Sequence, residues 1–379
     1  MNRNFPLMLV TLLLLVVTST VVTAQHPSSI AANVPVNEPK VVLSQEVLAA
    51  LATLPEADTL VFINPRRIIN EAIPRMMPEK DLEGLRKAFV DMKQFAGVDP
   101  TQLNFIVMAV RFRKPTADLM FAPPEFMAVT SGDFSSEGLV ALARAASQGK
   151  LRDEKYGEKT LSLMTIDPIV KESEKNPFLK SFSEVGVVPL SANMLAVGTP
   201  GYLRAAVDAA AGNGRISVDS LNSLLRDPSV LASVAGSPWD SFAKSLGLLG
   251  TEANVRAAKC ESNLGDFYVA LTMDATNFML RGAMGADNPD TAKIINNLAN
   301  GFLRQATSYV PDKTGQNVMS SLKLSATDNE VVLSADVPQQ MVLDFMKSQM
   351  QPKKQDAAAA TKPAAKKPVV RRKRRRPSQ

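Results

Sequence analysis

Three short patterns in this chain carry side chains able to do nucleophilic chemistry. Ser147-Gln148-Gly149-Lys150 sets a lysine three residues after a serine. Ser191-Ala192-Asn193 follows, and Lys313-Thr314-Gly315 comes third. A lysine amine beside a serine hydroxyl can act as its base, so the chemistry needs no imidazole. That matters because the chain has 1 His, His26, which closes the Ser-His-Asp and Cys-His arrangements. Its 1 Cys, Cys260, likewise closes a thiolate metal cluster and an intramolecular disulfide. No Walker phosphate loop and no G-x-G-x-x-G is present. Asp287 with Asp290 suggests a metal on paper, but acids at a helix start complement its dipole. Glu172 and Glu174 lie among Lys171, Lys175 and Lys180, the composition of a solvated segment.

Whether the three patterns can act depends on the elements that hold them. Ser135 is an N-cap residue ahead of Leu139, Leu142 and Ala146 at helical spacing, and Gly149 is the natural stop. Ser147 therefore falls at a helix C-terminus, where the dipole opposes a developing negative charge. Ser191-Ala192-Asn193 has the composition of a hairpin loop. Asp312-Lys313-Thr314-Gly315 has that of a type I turn. The order S-x-x-K, S-x-N, K-T-G is similar to that of the exported penicillin-recognising serine enzymes, and a serine hydrolase of that type is the alternative reading. The expected positions of the three patterns favour a protein that is not an enzyme. No cofactor is expected.

The N-terminal residues order themselves as an export signal. Residues 1–6 carry Arg3, residues 7–17 are almost wholly apolar, and Val22-Thr23-Ala24 supplies small residues for cleavage after Ala24. The alternative is an inner-membrane anchor formed by residues 5–24, long enough to span. Residues 25–40 are polar and read as a linker that includes His26. Behind a cleaved signal the protein is exported, to the periplasm or beyond. Cys260 then has no partner within the chain, and is expected as a buried small apolar residue.

The body has a recurring order of elements. With 379 residues and 45% apolar content it can bury a sizeable core. Residues 59–64 predict a strand, Pro65 a helix start, and Leu82, Leu85, Phe89, Met92 and Phe95 one core-facing helical stripe stopped by Gly97. Two strands followed by a helix are then expected four times, at 103–147, 159–211, 267–306 and 317–348. Residues 219–249 predict mostly helix, and residues 318–327 a strand alternating with Ser321, Lys323 and Ser325. Such units specify an α+β fold, antiparallel sheets with helices packed on one face. Two halves, 41–214 and 215–350, divide at Gly212-Asn213-Gly214. The 17 Met residues are expected as core filler, and Trp239 as the anchor of a helix start.

Three local patterns carry a resemblance. Leu54-Pro55-Glu56-Ala57-Asp58 precedes the first strand, Val197-Gly198-Thr199-Pro200 joins a strand to a helix, and Asp287-Asn288-Pro289-Asp290-Thr291-Ala292 opens another. In these the chain resembles uncharacterised secreted bacterial proteins built from duplicated α+β units. The resemblance implies a fold and an export route, and no activity.

The charge distribution carries the functional expectation. Of the net +6, residues 353–379 contribute 11 Lys/Arg against one acid, Asp356, which leaves the remainder mildly acidic. Lys366, Lys367 and the run Arg371-Arg372-Lys373-Arg374-Arg375-Arg376 stand among Ala and Pro, with almost nothing to bury. Residues 351–379 are therefore expected as a disordered basic tail that binds polyanions. Behind an export signal those partners are anionic lipid or an acidic envelope polymer. In a nucleic-acid-containing compartment the same run would bind nucleic acid.

Overall fold

The computed structural model describes residues 50–51, 53–112, 124–147, 149–165, 184–227, 229–236, 264–310 and 313–350. The export segment, the linker, the basic tail, Ser44, His26, Trp239, Cys260 and the charged stretch 171–180 lie outside them.

Strand β1 (Thr59–Ile63) reads Thr-Leu-Val-Phe-Ile, β-branched and aromatic residues suited to a pleated surface covered on both sides. Asn64 then caps a helical stretch by accepting from the Arg67 amide, with Pro65 at its favoured first position. This stretch runs through Pro65–Arg67, a π-turn at Ile68–Ala72 and Ile73–Met76. Helix α1 (Glu79–Ala96) follows and ends at Gly97, whose φ of 65° is the left-handed stop expected of it. Next come β2 (Leu103–Arg111), β3 (Glu125–Gly132) and α2 (Ser136–Ala146). The hairpin β4 (Leu151–Tyr156) and β5 (Lys159–Thr165) precedes β6 (Glu184–Ser191), β7 (Met194–Gly198) and α3 (Pro200–Ala210).

After α3 come α4 (Val218–Leu224) and β8 (Ala232–Gly236), then β9 (Leu264–Met273), β10 (Asn277–Ala286) and α5 (Pro289–Tyr309). The described chain closes with α6 (Lys313–Ser321), β11 (Lys323–Thr327), β12 (Glu330–Pro338) and α7 (Gln339–Met350).

The strands make one 12-stranded sheet in the order β11-β12-β10-β9-β8-β1-β2-β3-β7-β6-β5-β4. Every pairing is antiparallel. The α+β class and the antiparallel sheet are as the sequence specifies. The four two-strand-plus-helix units are β2-β3-α2, β6-β7-α3, β9-β10-α5 and β11-β12-α7. Read outwards from the central β1–β8 pair, the two sides repeat one order. It is β1-β2-β3-β7-β6 on one side and β8-β9-β10-β12-β11 on the other.

The main core lies on the face that carries Leu60 and Phe62, where Leu51, Leu54, Phe105, Val107, Met127, Leu163, Tyr202 and Leu203 pack together. Helix α3 closes on this face, because Gly186 of β6 leaves room for Leu163 and Leu203, whose methyl carbons would lie 2.3 and 2.9 Å from a Cβ there. The opposite face, carrying Val61, buries Phe134, Val140 and Leu195 beneath α2, and Ala292, Ile295 and Val331 beneath α5. Helices thus cover both faces, not one. Neighbouring β6 residues point to opposite sides, so α2 and α3 both find apolar partners on it.

Four local expectations are corrected. The 219–249 stretch contains β8, which sits in the middle of the sheet; its Ala-Ser-Val-Ala-Gly lacks the bulky residues that announce a strand. Residues 313–321 form helix α6 and not a turn followed by a strand, so the strand begins at Lys323. Gly315, Val318, Met319 and Leu322 have helical spacing, which the downstream alternation masked. The strand near residue 160 pairs with an unforeseen partner, β4. Along α1 Leu82 alone is buried, while Met92 is 44% and Phe95 79% exposed.

Candidate functional site

The three catalytic-looking patterns are held far apart. Ser147 caps the C-terminus of α2, its Oγ donating to the Arg144 carbonyl at 2.7 Å. Gly149 has φ 84°, so the chain turns there as expected. The Ser191–Asn193 loop lies at the other end of α2, where the Ser136 amide donates to the Ala192 carbonyl at 2.9 Å and its hydroxyl to the Ser191 carbonyl at 2.5 Å. An 11-residue helix, roughly 16 Å long at 1.5 Å per residue, stands between the two. Lys313 begins α6, which packs against α5, α7 and β12 in the other half of the sheet. No single substrate can touch all three.

Of the other candidates, Asp290 pairs with Lys293 at 3.1 Å in the first turn of α5, and Asn288 accepts from the Thr291 amide at 2.9 Å. This is capping chemistry, as the sequence expects. Among the described residues no group of three or more His, Cys, Asp or Glu could hold a metal ion.

A half-buried polar cluster surrounds the Leu54-Pro55-Glu56-Ala57-Asp58 segment. This segment enters β1 at the junction of the two sides of the sheet. Its Leu54 carbonyl accepts from the Ile216 amide at 2.8 Å, and the Glu56 amide donates to the Gly214 carbonyl at 3.2 Å. Gly212 and Gly214, with φ of 105° and 65°, shape the turn that brings this strand of backbone alongside. The Asp58 amide donates to the Val110 carbonyl at 3.0 Å, and its carboxylate accepts from the Phe112 amide at 2.6 Å.

Beside it, Arg111 reaches Glu125 through Nε at 3.0 Å and Nη2 at 2.5 Å. The Glu125 side chain is 5% exposed. The guanidinium also stacks 4.9 Å from the Tyr202 ring centre. The Tyr202 hydroxyl donates to the Glu56 carbonyl at 2.8 Å, and burial pushes its titration up, so it remains a donor at neutral pH. Burial also holds the Asp58 carboxyl above the usual range, against the opposing effects of the Phe112 amide and Arg111. Donors and acceptors in this cluster meet one another. It works as a clasp for the ends of β1, β2 and β3, and its polar groups are engaged within the fold.

An adjoining cavity of about 50 Å³ is lined by Ala57, Leu60, Ser220, Ser223, Ala235, Gly236 and Asp266. That volume holds a water molecule or two, far less than an organic ligand needs. Sequence reasoning missed this cluster. The segment Leu54-Pro55-Glu56-Ala57-Asp58 was visible, but what it meets lies far along the chain: the Phe112 amide on the Asp58 carboxylate, and the Tyr202 hydroxyl on the Glu56 carbonyl. The polyanion-binding candidates Lys366, Lys367, Arg371, Arg372, Lys373, Arg374, Arg375 and Arg376 lie outside the described residues.

No protein-family model matches the chain, and no curated protein matches it. Solved structures similar to it include three crystal forms of TP0453. Form III shares 11% identity at a TM-score of 0.41, covering 79% of this chain and 97% of that one. Form I shares 9% at 0.39 with the same coverages, and form IV 9% at 0.38, covering 78% and 95%.

Proposed function

We propose that this is an exported, non-enzymatic α+β protein that docks to anionic envelope components through its C-terminal Lys/Arg tail. The observation that carries the reading is the run Arg371-Arg372-Lys373-Arg374-Arg375-Arg376 at the end of a chain whose remainder is mildly acidic and opens on an export-type sequence. Six consecutive cations neutralise anionic groups without a folded pocket, and each contributes on the order of 1 kcal/mol near an anionic surface at modest ionic strength. The separation of the three catalytic-looking patterns is in keeping with a role that is not enzymatic. Among the described residues no helix is long and apolar enough to cross a membrane. The tail would then hold the body against the surface, with the export segment cleaved after Ala24. The resemblance to secreted duplicated α+β proteins agrees with that route.

The test is deletion of residues 353–379, read by cosedimentation with vesicles containing phosphatidylglycerol. The deletion should abolish most binding while leaving the melting curve of the body unchanged. Replacing Arg371, Arg372, Arg374, Arg375 and Arg376 by Ala should reproduce most of the loss. Undiminished, salt-insensitive binding by the truncated body would place the site elsewhere. Recovery of an intact Met1 N-terminus on membrane-bound protein would favour the anchor formed by residues 5–24.

A further inference from the structure

We propose that two copies of this chain join through the β11 rim, continuing the sheet from one molecule into the other. The two ends of the sheet differ. At one end, β4 carries Arg152, Asp153, Glu154 and Lys155, all committed or charged: Arg152 pairs with Glu154 and Glu184, Asp153 with Arg144, and Glu154 with Arg204. Charge on a rim strand is how sheets guard an open edge. At the other end, β11 reads Lys-Leu-Ser-Ala-Thr and has no strand beyond it among the described residues. Its counterpart on the other side of the sheet, β6, has that same edge filled by β5.

The pairing of β11 with β12 decides which backbone groups face outwards. Thr327 pairs with Glu330 across the two-residue turn Asp328-Asn329, and Ser325 and Lys323 follow at intervals of two. The residues that close a two-residue hairpin exchange their hydrogen bonds with each other. The N–H and C=O of Leu324 and Ala326 therefore point away from β12, at the open edge. In an antiparallel pair centred on Ser325, Leu324 of one copy meets Ala326 of the other, and Lys323 meets Thr327. All outward groups are then used, and no like charges face each other.

A second observation falls on the same rim. Helix α5 lies over β11, with Ala292 and Ile295 packed on Leu324, Ala326 and Val331. It leaves Ile294 47% and Leu298 63% exposed, one turn apart. Apolar side chains on a helix beside an open edge give a second copy something to bury besides hydrogen bonds, which a five-residue strand alone does not supply.

Sedimentation equilibrium of the purified full chain, across a hundredfold range of concentration, tests this. A dimer is expected. Thr327→Lys sets Lys against Lys323 twice across the interface and should weaken association roughly tenfold, since like charges directly opposite each other destabilise a strand pair. Thr327 is exposed and faces Glu330 within its own hairpin, so that variant retains its fold. The double variant Lys323→Glu with Thr327→Lys restores opposite charges and should recover the dimer. A monomer at every concentration overturns the proposal. So does a dimer indifferent to Thr327→Lys and to Leu298→Glu, because the contact would then lie elsewhere.

Discussion

Removing the Glu125 carboxylate would leave the Arg111 guanidinium, 38% exposed, without the partner that holds it over Tyr202. Glu125→Ala should therefore destabilise the body by about 2 kcal/mol, below the roughly 3–5 kcal/mol of a fully buried pair because Arg111 keeps some water. Chemical denaturation measures this; a loss within a few tenths would show the clasp to be ornamental. Asp58 behaves differently, because its carboxyl is held above the ordinary range by burial. The folded state then binds a proton more readily than the unfolded one. Stability is greatest below the ordinary aspartate value and falls as pH rises through the interval up to the folded value. Asp58→Asn keeps an acceptor for the Phe112 amide and cannot ionise, so that decline should disappear from a pH series of denaturation midpoints. Asp99 and Asp274, whose carboxyls are held low by hydrogen bonds from Thr101 and from the Thr276 and Asn277 amides, act in the opposite sense. Their contributions are present above the ordinary value and fade as acid protonates them, and both sit half-buried at the surface, where solvent keeps the effect small. At Ser147, a hydroxyl bonded to its own helix predicts no stable adduct with a fluorescent penicillin. A label that disappears on Ser147→Ala would restore the hydrolase reading.

Among the elements, those with strong local signals were legible and those made by pairing were not. Ser135, Asn288 and Gly97 do at their helix ends what their residue types dictate. Strands β2, β3, β9 and β10 are apolar-rich runs of strand length, and β9 and β10 are joined by the turn residues 274–277. Strand β4, in contrast, is Leu-Arg-Asp-Glu-Lys-Tyr, a charged rim strand whose residues are satisfied by ion pairs rather than by burial. Strand β8 is short and small-sided because it threads the crowded centre. The clasp was illegible for a related reason. Leu54-Pro55-Glu56-Ala57-Asp58 shows in the sequence only as the lead-in to β1, and β2 and α3 must fold beside it before Arg111 and Tyr202 come near. Gly236 shows how tight that centre is. A Cβ there would lie 2.2 Å from the Asp58 carbonyl oxygen and 2.8 Å from the Thr59 Cα, both backbone atoms. Gly236→Ala must push β8 away from β1, and overpacking of this kind costs about 1–3 kcal/mol. A melting point unchanged by that substitution would mean that the two strands separate more easily than their register implies.

For the whole molecule, the junction between β1 and β8 decides whether the two sides of the sheet are independent. The division expected from the sequence falls at Gly212-Asn213-Gly214, and the strand order repeats on the two sides of the β1–β8 pair. Yet the sheet does not stop there. Thr59 through Ile63 pair residue by residue with Gly236 through Ala232. The main core also crosses the line: Leu224, Val230, Ala235 and Ala270 pack in the same cluster as Leu54, Phe62, Val107 and Tyr202. Exposing either side alone would uncover the apolar surface shared by both. At roughly 25 cal/mol for each Å² of apolar surface, even a few hundred Å² is comparable to the stability of a whole domain. The body should accordingly unfold in one transition, with calorimetric and van't Hoff enthalpies in agreement. Gly236→Ala, placed on the junction, should lower that single midpoint before it splits it. Two resolved transitions in the unmodified chain would show that the halves are joined only by backbone pairing. In that case Glu125→Ala, confined to one side, should move one transition and leave the other where it was.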